Sequence, residues 1–330
     1  MSDPTQTVLH RLRELIGPDL EQTNHLIRQH LDSEVELIPT LGTHLIQSGG
    51  KRLRPMLTLL SARMFGYQGE AHALLAAVIE FIHTATLLHD DVVDKSNTRR
   101  GIATANSVWG NKAPVLVGDF LFSRSFQLLV RHGDLKVLGI IADACAIISE
   151  GEVLQLVASN DLKTDEEKYM AVVASKTASL FSAACQIGPV LAGCPDADVK
   201  RMADFGTAIG IAYQVVDDTL DYAATVEKLG KTIGDDFQEG KITLPVIHAF
   251  AHGAPEERDF WVRTIEKGEI TPDSLEQAIA MIRKRGGLDY SMSRARDFAR
   301  AARDALEPYP HSAEREALLM LADFSVDRSF

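Results

Sequence analysis

The most informative sequence in the chain reads Glu80-Phe-Ile-His-Thr-Ala-Thr-Leu-Leu-His-Asp-Asp-Val-Val-Asp94. Apolar residues recur before and within it at spacings of three and four, which predicts a helix with one face in a core. The helix ends in three carboxylates, Asp90, Asp91 and Asp94, and the spacing places Asp90 and Asp94 on one face. His83 and Thr86 continue that polar line backwards. Carboxylates this close repel one another unless a cation lies among them, and the alternative is a solvated acidic helix end.

The same spacing returns in Tyr213-Gln-Val-Val-Asp-Asp-Thr-Leu-Asp221, where Asp217, Asp218 and Asp221 again follow a helical apolar run. Gln214 lies three and seven residues before Asp217 and Asp221, so the three side chains project from one face. Hard carboxylate oxygens suit Mg²⁺, which keeps several waters and usually completes its shell with substrate phosphates. Two such triplets together favour a site that binds a diphosphate through Mg²⁺ over two solvated helix ends.

Composition narrows the class of protein. The chain has 330 residues, 45% of them hydrophobic, which is enough for one large domain or two ordinary ones. Its net charge of −12 argues against nucleic acid as a partner. The three cysteines lack metal-ligand spacing and are typical of reduced core residues in a cytosolic protein. No signal-peptide pattern opens the sequence, and charge is expected to interrupt every apolar run before the roughly 18 residues that a membrane helix needs. We therefore expect a cytoplasmic protein without a transmembrane segment.

Several cations accompany the carboxylates. A turn at 48–55 carries Lys51, Arg52 and Arg54 after two glycines, which allow the backbone to approach an anion, although such charges also commonly flank helices. Arg99 and Arg100 follow the first triplet, either to bind phosphate oxygens or to pair with its carboxylates.

Further lysines lie near the second triplet. Lys176 lies among small and apolar residues, where it needs an anion or must extend to water. A polar, glycine-punctuated loop after the second triplet adds Lys231, Lys241 and two more carboxylates, Asp235 and Asp236. The cations are therefore distributed around both carboxylate triplets.

Helical periodicity predicts the elements between these motifs. We expect helices over 18–45, 56–64, 115–130, 139–157, 165–185, 198–221, 244–250, 275–285 and 290–306. Gly188-Pro189 is predicted to break the pattern, residues 253–276 are the least constrained, and 312–330 form a tail. No run of alternating β-branched residues is found. The sequence predicts an all-α protein with a single domain over residues 1–330.

The motifs together resemble those of the trans-isoprenyl diphosphate synthases, the polyprenyl synthetase family. They are GGKRLRP (49–55), IHTATLLHDDVVD (82–94), TRRG (98–101), VGDFLFSR (117–124), SKT (175–177), QVVDD (214–218) and GKITLP (240–245). The resemblance covers nearly the whole chain and, within the family, is greatest for long-chain quinone-side-chain synthases such as the octaprenyl and decaprenyl enzymes.

The resemblance implies a fold, a reaction and a set of site residues. The implied fold is the isoprenoid synthase helical bundle with a central cavity, usually a homodimer. Two or three Mg²⁺ ions and an allylic diphosphate would be held by Asp90, Asp91, Asp94, Asp217, Asp218 and Asp221. The isopentenyl diphosphate contacts would be Lys51, Arg52, His83 and Arg100. The allylic diphosphate contacts would be Arg99, Lys176, Thr177, Gln214, Lys231 and Lys241.

The implied reaction is head-to-tail condensation of isopentenyl diphosphate onto an allylic diphosphate, with farnesyl diphosphate as the expected primer. Ala85 and Thr86 are small and lie about one helical turn before the first aspartate. We expect them to leave room for a product of about C40 to C50, serving a quinone such as ubiquinone, with Phe126 as a candidate floor. Release of so apolar a product suggests transient membrane contact.

Three alternatives remain open at this point. A shorter-chain geranylgeranyl or farnesyl diphosphate synthase would share every motif. A class I terpene cyclase would share the first triplet but normally lacks a second identical one. A non-catalytic synthase subunit would usually have lost one or both triplets, and both are intact in this sequence.

Overall fold

The computed structural model describes residues 4–47, 51–99, 101–223 and 234–327 of the chain, and the regular structure in them is almost entirely helical. This confirms the predicted all-α class. The first helices are α1 (Pro4–Leu31), α2 (Leu37–Gln47), α3 (Leu53–Met64), α4 (Ala71–Val93), α5 (Ala105–Trp109), α6 (Lys112–His132), α7 (Leu135–Ala158) and α8 (Glu166–Val173). They are followed by α9 (Ser179–Leu191), α10 (Asp196–Ala223), α11 (Asp235–Gln238), α12 (Leu244–Ala251), α13 (Pro255–Trp261), α14 (Ser274–Lys284), α15 (Gly287–Leu306) and α16 (Ala313–Val326). Turns of π-helix at Ala174–Ala178 and Val262–Glu266 join α8 to α9 and extend α13.

The chain forms two compact units, each assembled from three segments. The first unit comprises Met1–Cys145, Leu180–Gly206 and Ala305–Leu321. The second unit comprises Ala146–Ser179, Thr207–Asp304 and Ala322–Phe330. Helices α7 and α10 each begin in the first unit and end in the second. A single domain over 1–330 stays a prediction.

Helix α4 is central to the first unit and packs against α1, α3 and α6. Its predicted apolar face is buried at Val78, Phe81, Ile82 and Leu88, whereas Leu74 is half-buried. Burying each such side chain stabilises the fold by about 1.5 to 3 kcal/mol before the entropy cost. The acidic end of α4 is therefore fixed to a rigid core.

The second unit has two buried clusters. One surrounds Tyr222, Phe237 and Trp261, all of which are fully buried. The other packs the last turns of α10, through Val215 and Val216, against residues of α8, α12 and α15. These contacts fix the end of α10, which carries the second triplet.

The helix predicted over 18–45 is two helices, because α1 starts at Pro4 and ends at Leu31, and α2 begins at Leu37. Helix α1 also bends at Ile16, which has φ −118° and ψ 17°. Pro18 follows within that bend, where its ring lacks an N–H and opposes the carbonyl of the preceding turn. The charged residues at 32–36 separate the helices.

The predicted break at Gly188-Pro189 was wrong, since α9 continues to Leu191. A Cβ on Gly188 would lie 2.3 Å from the carbonyl carbon of Ser61 and 2.5 Å from the amide nitrogen of Ala62. Glycine therefore allows α9 and α3 to approach closely, and this packing maintains the helix through the proline.

Two further expectations about loops were wrong. Residues 253–276 include α13, whose Trp261 is fully buried together with Ile265 of the following π-helical turn. The predicted tail carries α16. A short antiparallel hairpin, β1 (Thr98–Arg99) with β2 (Ile102–Ala103), follows the first triplet. Strands of two residues are too short to show an alternating pattern.

Among the described residues, three helices are long and apolar enough to cross a membrane by length and composition alone: Ala71–Val93, Lys112–His132 and Glu166–Leu191. The expectation that charged residues interrupt every apolar run before it reaches the length of a membrane-spanning helix was therefore wrong. In Ala71–Val93, 67% of the apolar window is buried inside the structure. Burial in a protein core accounts for an apolar helix of this kind.

Candidate active site

The first aspartate triplet lies at the end of α4 and divides into two kinds of side chain. Asp90 and Asp94 are half-buried, whereas Asp91 is only 1% exposed. Arg99 donates a hydrogen bond from Nε to Oδ1 of Asp91 at 2.9 Å, and its Nη2 forms an ion pair with the same oxygen at 2.8 Å. Of the two interpretations of Arg99, the structure shows the ion pair with a carboxylate. The hairpin holds this arginine beside the triplet.

Burial raises the pKa of Asp91, while Arg99 opposes that rise and the carboxylates of Asp90 and Asp94 add to it. The Oδ2 atom of Asp91 is buried and accepts no hydrogen bond within the described part of the chain. Buried polar atoms normally have a partner. An orphaned carboxylate oxygen beside two half-exposed carboxylates fits the all-oxygen ligand set that Mg²⁺ uses.

Two arginine side chains, those of Arg52 and Arg54, contact the side of α4 that faces α3. Arg52, which precedes α3 in a left-handed conformation with φ 54°, donates a hydrogen bond to Glu80. Arg54 donates to Nε2 of His83 at 3.1 Å, and its guanidinium carbon lies 4.3 Å above the ring centre of Phe181. The structure thus places Arg54, rather than Arg52, against the predicted site residue His83.

Lys51 and Arg100 are also predicted to contact the isopentenyl diphosphate. Lys51 is exposed at the start of the described segment. Arg100 lies outside the described residues.

The second triplet, at the end of α10, shows the same division. Asp217 and Asp221 are half-buried, whereas Asp218 is 7% exposed. The hydroxyl of Tyr169 donates to Oδ2 of Asp218 at 2.6 Å, and Nε2 of Gln214 donates to Oδ1 at 2.7 Å. In both triplets the middle aspartate is buried and accepts hydrogen bonds from other side chains of the protein, whereas the outer two aspartates are partly exposed.

Negative charge accumulates around the second triplet. Burial raises the pKa of Asp218 to about 6, against the hydrogen bonds from Tyr169 and Gln214, and the carboxylate of Asp217 contributes to the rise. Burial also raises the pKa of Asp236 well above its usual value, with further contributions from Asp218 and Asp221. The backbone amide of Asp236 donates to Oδ2 of Asp221 at 3.0 Å. The loop after the triplet therefore adds a carboxylate, as its sequence predicts.

Lys176 and Thr177 lie on the π-helical turn Ala174–Ala178, and such turns are frequent at functional sites. The hydroxyl of Thr177 donates to Oε1 of Gln214 at 3.0 Å. Lys176 donates to Oε2 of Glu152 at 2.7 Å, so this lysine has the anion that its apolar surroundings require. Gly151 allows the close approach, because a Cβ there would lie 2.7 Å from the amide nitrogen of Lys176.

Two further lysines, Lys241 and Lys231, are predicted for the allylic side. Nζ of Lys241 forms an ion pair with Glu239 at 2.5 Å. Lys231 lies outside the described residues.

The chain-length candidates belong to the first unit. Ala85 is fully buried, and Thr86 is half-buried with its hydroxyl donating to the carbonyl of His83 at 2.8 Å. Phe126, on α6, is half-buried with its ring centre 5.8 Å from that of Phe122.

No group of three or more His, Cys, Asp or Glu side chains in the described ranges is arranged as a ready-made metal cluster. The carboxylates of both triplets nevertheless fit Mg²⁺ by chemistry, since this ion is usually bound by one or two carboxylates together with water and substrate phosphates.

Sequence reasoning missed three residues of these groups: Arg54 as the partner of His83, Glu152 as the partner of Lys176, and Tyr169 as a donor to Asp218. Arg54 stands within a motif already recognised. Tyr169 precedes Lys176 by seven residues, or two helical turns, so periodicity could have placed it on the same face. Glu152 has no comparable signal.

Comparison with known proteins shows the family to which this chain is similar. The sequence model described as polyprenyl synthetase matches residues 35–282. The octaprenyl diphosphate synthase of Escherichia coli (strain K12) is 48% identical over 320 residues, covering 97% of this chain and 99% of that protein. A crystal structure of a decaprenyl diphosphate synthase from Rhodobacter capsulatus is 49% identical, with a TM-score of 0.92 and coverage of 97% and 98% of the two chains. A polyprenyl synthase from Caulobacter crescentus CB15, complexed with calcium and isoprenyl diphosphate, is 46% identical, with a TM-score of 0.94 and the same coverage. The chain belongs to the polyprenyl synthetase family.

Proposed function

We propose that this protein is a long-chain trans-polyprenyl diphosphate synthase that condenses isopentenyl diphosphate onto an allylic diphosphate, with farnesyl diphosphate as the primer. The observation that carries the proposal is the repeated triplet. Each helix end has one buried aspartate anchored by protein donors and two half-exposed aspartates four residues apart, Asp90 with Asp94 and Asp217 with Asp221. A protein that bound no metal–diphosphate would have no need to maintain this arrangement twice.

The half-exposed carboxylates would supply ligands for Mg²⁺, whose charge when bound neutralises a diphosphate leaving group. Lys51, Arg54 and Arg100 provide cations suited to the isopentenyl diphosphate, and His83 is a further proposed polar contact. Arg52, which the family resemblance also implies, is paired with Glu80. The proposed contacts for the allylic diphosphate are Arg99, Lys176, Thr177, Gln214, Lys231 and Lys241. Two sets of cations suit two diphosphates, whereas a hydrolase acting on one diphosphate would need a single set.

The reaction follows from these roles. The allylic C–O bond breaks, and its electron pair leaves with the diphosphate that the cationic side chains stabilise. The double bond of isopentenyl diphosphate supplies the electron pair of the new C–C bond. A proton then leaves the condensed product and is taken up by the released pyrophosphate. Apolar helices exclude water, which would otherwise capture the allylic cation.

Relatives named as octaprenyl and decaprenyl diphosphate synthases, at 48% and 49% identity, support the long-chain assignment. A shorter-chain synthase is the second candidate, since a geranylgeranyl diphosphate synthase of Sulfolobus acidocaldarius is 34% identical. The small Ala85 before the first triplet favours the longer product. Two intact triplets argue against a terpene cyclase and against a non-catalytic subunit.

We also propose a cytoplasmic homodimer that serves a quinone such as ubiquinone and contacts a membrane transiently when it releases its product. Support for a second copy comes from the second half of α7. Val153, Leu156 and Val157 are 62%, 67% and 64% exposed, which is unusual for neighbouring apolar residues of one helix. Light scattering of the purified protein tests this interface. We expect a dimer for the wild type and a monomer for Leu156→Asp, and a monomeric wild type would contradict the proposed dimer.

The function itself is tested by product analysis. The purified protein is incubated with Mg²⁺, farnesyl diphosphate and excess labelled isopentenyl diphosphate, and the dephosphorylated products are separated by chromatography. We expect a distribution that ends at about C40 to C50, as the absence of a bulky residue one helical turn before Asp90 requires. A product that ends at C15 to C20 would instead identify a short-chain synthase. Failure to incorporate label by a folded protein would overturn the proposal.

A further inference from the structure

The hydroxyl of Tyr169 joins α8 to the end of α10. It donates a hydrogen bond of 2.6 Å to Oδ2 of Asp218, a residue 49 positions later in the chain. Tyr169 is 4% exposed and Asp218 is 7% exposed, so solvent has little access to either group. The bond is therefore a fixed internal contact between a tyrosine to which the motifs assign no role and the middle aspartate of the second triplet.

Burial makes this contact important. A carboxylate withdrawn from water costs several kcal/mol unless hydrogen bonds replace its hydration. Each oxygen of Asp218 accepts one such bond, Oδ2 from Tyr169 and Oδ1 from Gln214. An O–H···O⁻ bond of this length belongs to the charge-assisted class, which is roughly twice as strong as a neutral hydrogen bond.

The same contact determines how the triplet is presented. Two donors from different directions fix the side chain of Asp218, and Gln214 is itself held by Thr177 on the π-helical turn. The ring of Tyr169 packs in the buried cluster with Val215 and Val216, so it holds both the backbone and the side chain of this part of α10. Asp217 and Asp221 lie on either side of the anchored residue, with their carboxylates half-exposed.

We propose that Tyr169 is a positioning residue for the second aspartate triplet: its hydroxyl holds Asp218 so that Asp217 and Asp221 are oriented for a metal–diphosphate. This inference rests on the proposed function for its biological meaning. Its physical content is that one hydroxyl group controls the affinity of the triplet for Mg²⁺ with pyrophosphate.

The test is Tyr169→Phe, which removes the hydroxyl and keeps the ring. Binding of inorganic pyrophosphate in the presence of Mg²⁺ is measured by calorimetry, alongside the melting temperature, kcat and the KM for isopentenyl diphosphate. We expect a loss of roughly tenfold or more in pyrophosphate affinity and in kcat, the size expected for one hydrogen bond to a charged group. The KM for isopentenyl diphosphate should not change.

The matched control is Tyr290→Phe. Tyr290 donates its hydroxyl to Oε2 of Glu166 at 2.5 Å in the same unit, so the variant removes the same kind of bond from a different carboxylate. We expect wild-type pyrophosphate affinity and kcat. Equal losses in the two variants would overturn the proposal, because they would indicate general destabilisation.

A double-mutant cycle with Asp218→Asn tests the route of the effect. If Tyr169 acts through Asp218, then adding Tyr169→Phe to Asp218→Asn changes pyrophosphate affinity little, whereas additive losses would overturn the proposal. If Tyr169→Phe does not fold, Asp218→Asn decides alone: wild-type affinity in that variant contradicts an anchoring role. The binding measurement needs no turnover, so a wild-type protein that forms no prenyl product would contradict the proposed function and leave this test intact.

Discussion

Lys176 donates a hydrogen bond to Oε2 of Glu152 at 2.7 Å, across the contact between α7 and the π-helical turn. The other oxygen of Glu152 is buried and accepts no hydrogen bond from the described residues. Glu152 thus forms an ion pair with Lys176, a residue that the proposed function assigns to the allylic diphosphate. An incoming diphosphate has to compete with Glu152 for this cation.

Replacing Glu152 by Gln should strengthen binding at the allylic side. The change keeps the shape of the side chain but removes the negative charge next to Lys176. We expect the KM for the allylic diphosphate and the inhibition constant of pyrophosphate to fall by about two- to fivefold, as suits a partly exposed ion pair. Steady-state kinetics measure both, and the KM for isopentenyl diphosphate should not change.

Glu166→Gln is the matched control, because Glu166 pairs with Arg294 at 2.7 Å and has no assigned role in the site. A rise in the allylic KM of Glu152→Gln would show that Glu152 orients Lys176 and does not compete with the substrate.

Loss of an outer carboxylate should abolish most of the activity and leave the fold intact. In Asp217→Ala or Asp90→Ala we expect kcat to fall by about 100-fold or more, because one ligand for the leaving-group charge is removed. The melting temperature should change little, since both side chains are half-buried. Asp204→Ala is the control on α10: Asp204 is exposed and pairs only weakly with Lys200 at 3.3 Å. Near wild-type turnover in Asp217→Ala at saturating Mg²⁺ would refute the role of the triplet.

Replacing Arg54 should affect substrate binding, whereas replacing Arg52 should affect the stability of the fold. Arg54→Ala should raise the KM for isopentenyl diphosphate much more than the KM for the allylic primer, because Arg54 contacts His83. Lys51→Ala should act in the same direction. Arg52→Ala should reduce stability by about 3 kcal/mol, since it leaves the buried carboxylate of Glu80 without its cation.

Substrate kinetics and chemical denaturation distinguish these outcomes. The double variant Arg52→Ala/Glu80→Gln should recover part of the lost stability, because it also removes the unpaired charge. Equal changes in the KM of both substrates in Arg54→Ala would contradict its assignment to isopentenyl diphosphate.

Glu257 should make stability depend on pH in the acid range. Hydrogen bonds from Lys284, the backbone amide of Ala254 and Arg285 lower its pKa from 4.5 to about 2. A carboxyl whose pKa is depressed by folding stabilises the protein above its unfolded pKa, and this contribution disappears as pH falls from about 4.5 towards 2. We therefore expect the difference in melting temperature between wild type and Glu257→Gln to be largest near neutral pH and to shrink below pH 4.5. A difference that stays constant from pH 7 to pH 3 would contradict the prediction.

Local sequence information was sufficient for what depends on spacing along one helix. The positions of Asp90, Asp94, Asp217 and Asp221 at helix ends follow from periodicity and from the apolar residues before them. Spacing alone cannot distinguish Asp91 or Asp218 from their neighbours, because their burial depends on donors outside their own helices. The donor to Asp218, Tyr169, lies 49 residues away in the sequence.

The wrong expectations have the same origin. Gly188 and Pro189 together predict a break, but close packing of α9 against α3 at Ser61 keeps the helix intact. The charged residues of 253–276 conceal Trp261, whose burial depends on contacts with Phe237 and Phe260. Arg52 and Arg54 have identical side chains, and the sequence does not show that Arg52, just before α3, contacts Glu80 while Arg54, in the first turn of α3, contacts His83.

Product length should depend on Ala85. This residue is fully buried on α4, five positions before Asp90 and more than one helical turn of about 5.4 Å away. A hydrocarbon chain that grows from the diphosphate past this turn would meet a phenylalanine placed there. In Ala85→Phe we expect the longest product to shorten from about C40–C50 to about C15–C20, with activity retained. Chromatography of the dephosphorylated products measures the change.

The control for Ala85→Phe is Ala76→Phe, since Ala76 is also fully buried and lies nine residues earlier, on the opposite face of α4. Each substitution costs about 1 to 3 kcal/mol through overpacking. If only Ala85→Phe shortens the product, the effect is due to position and not to lost stability. Equal shortening in both variants would show that packing of α4 controls chain length. Unchanged products in an active Ala85→Phe enzyme would show that this face of the helix does not contact the growing chain.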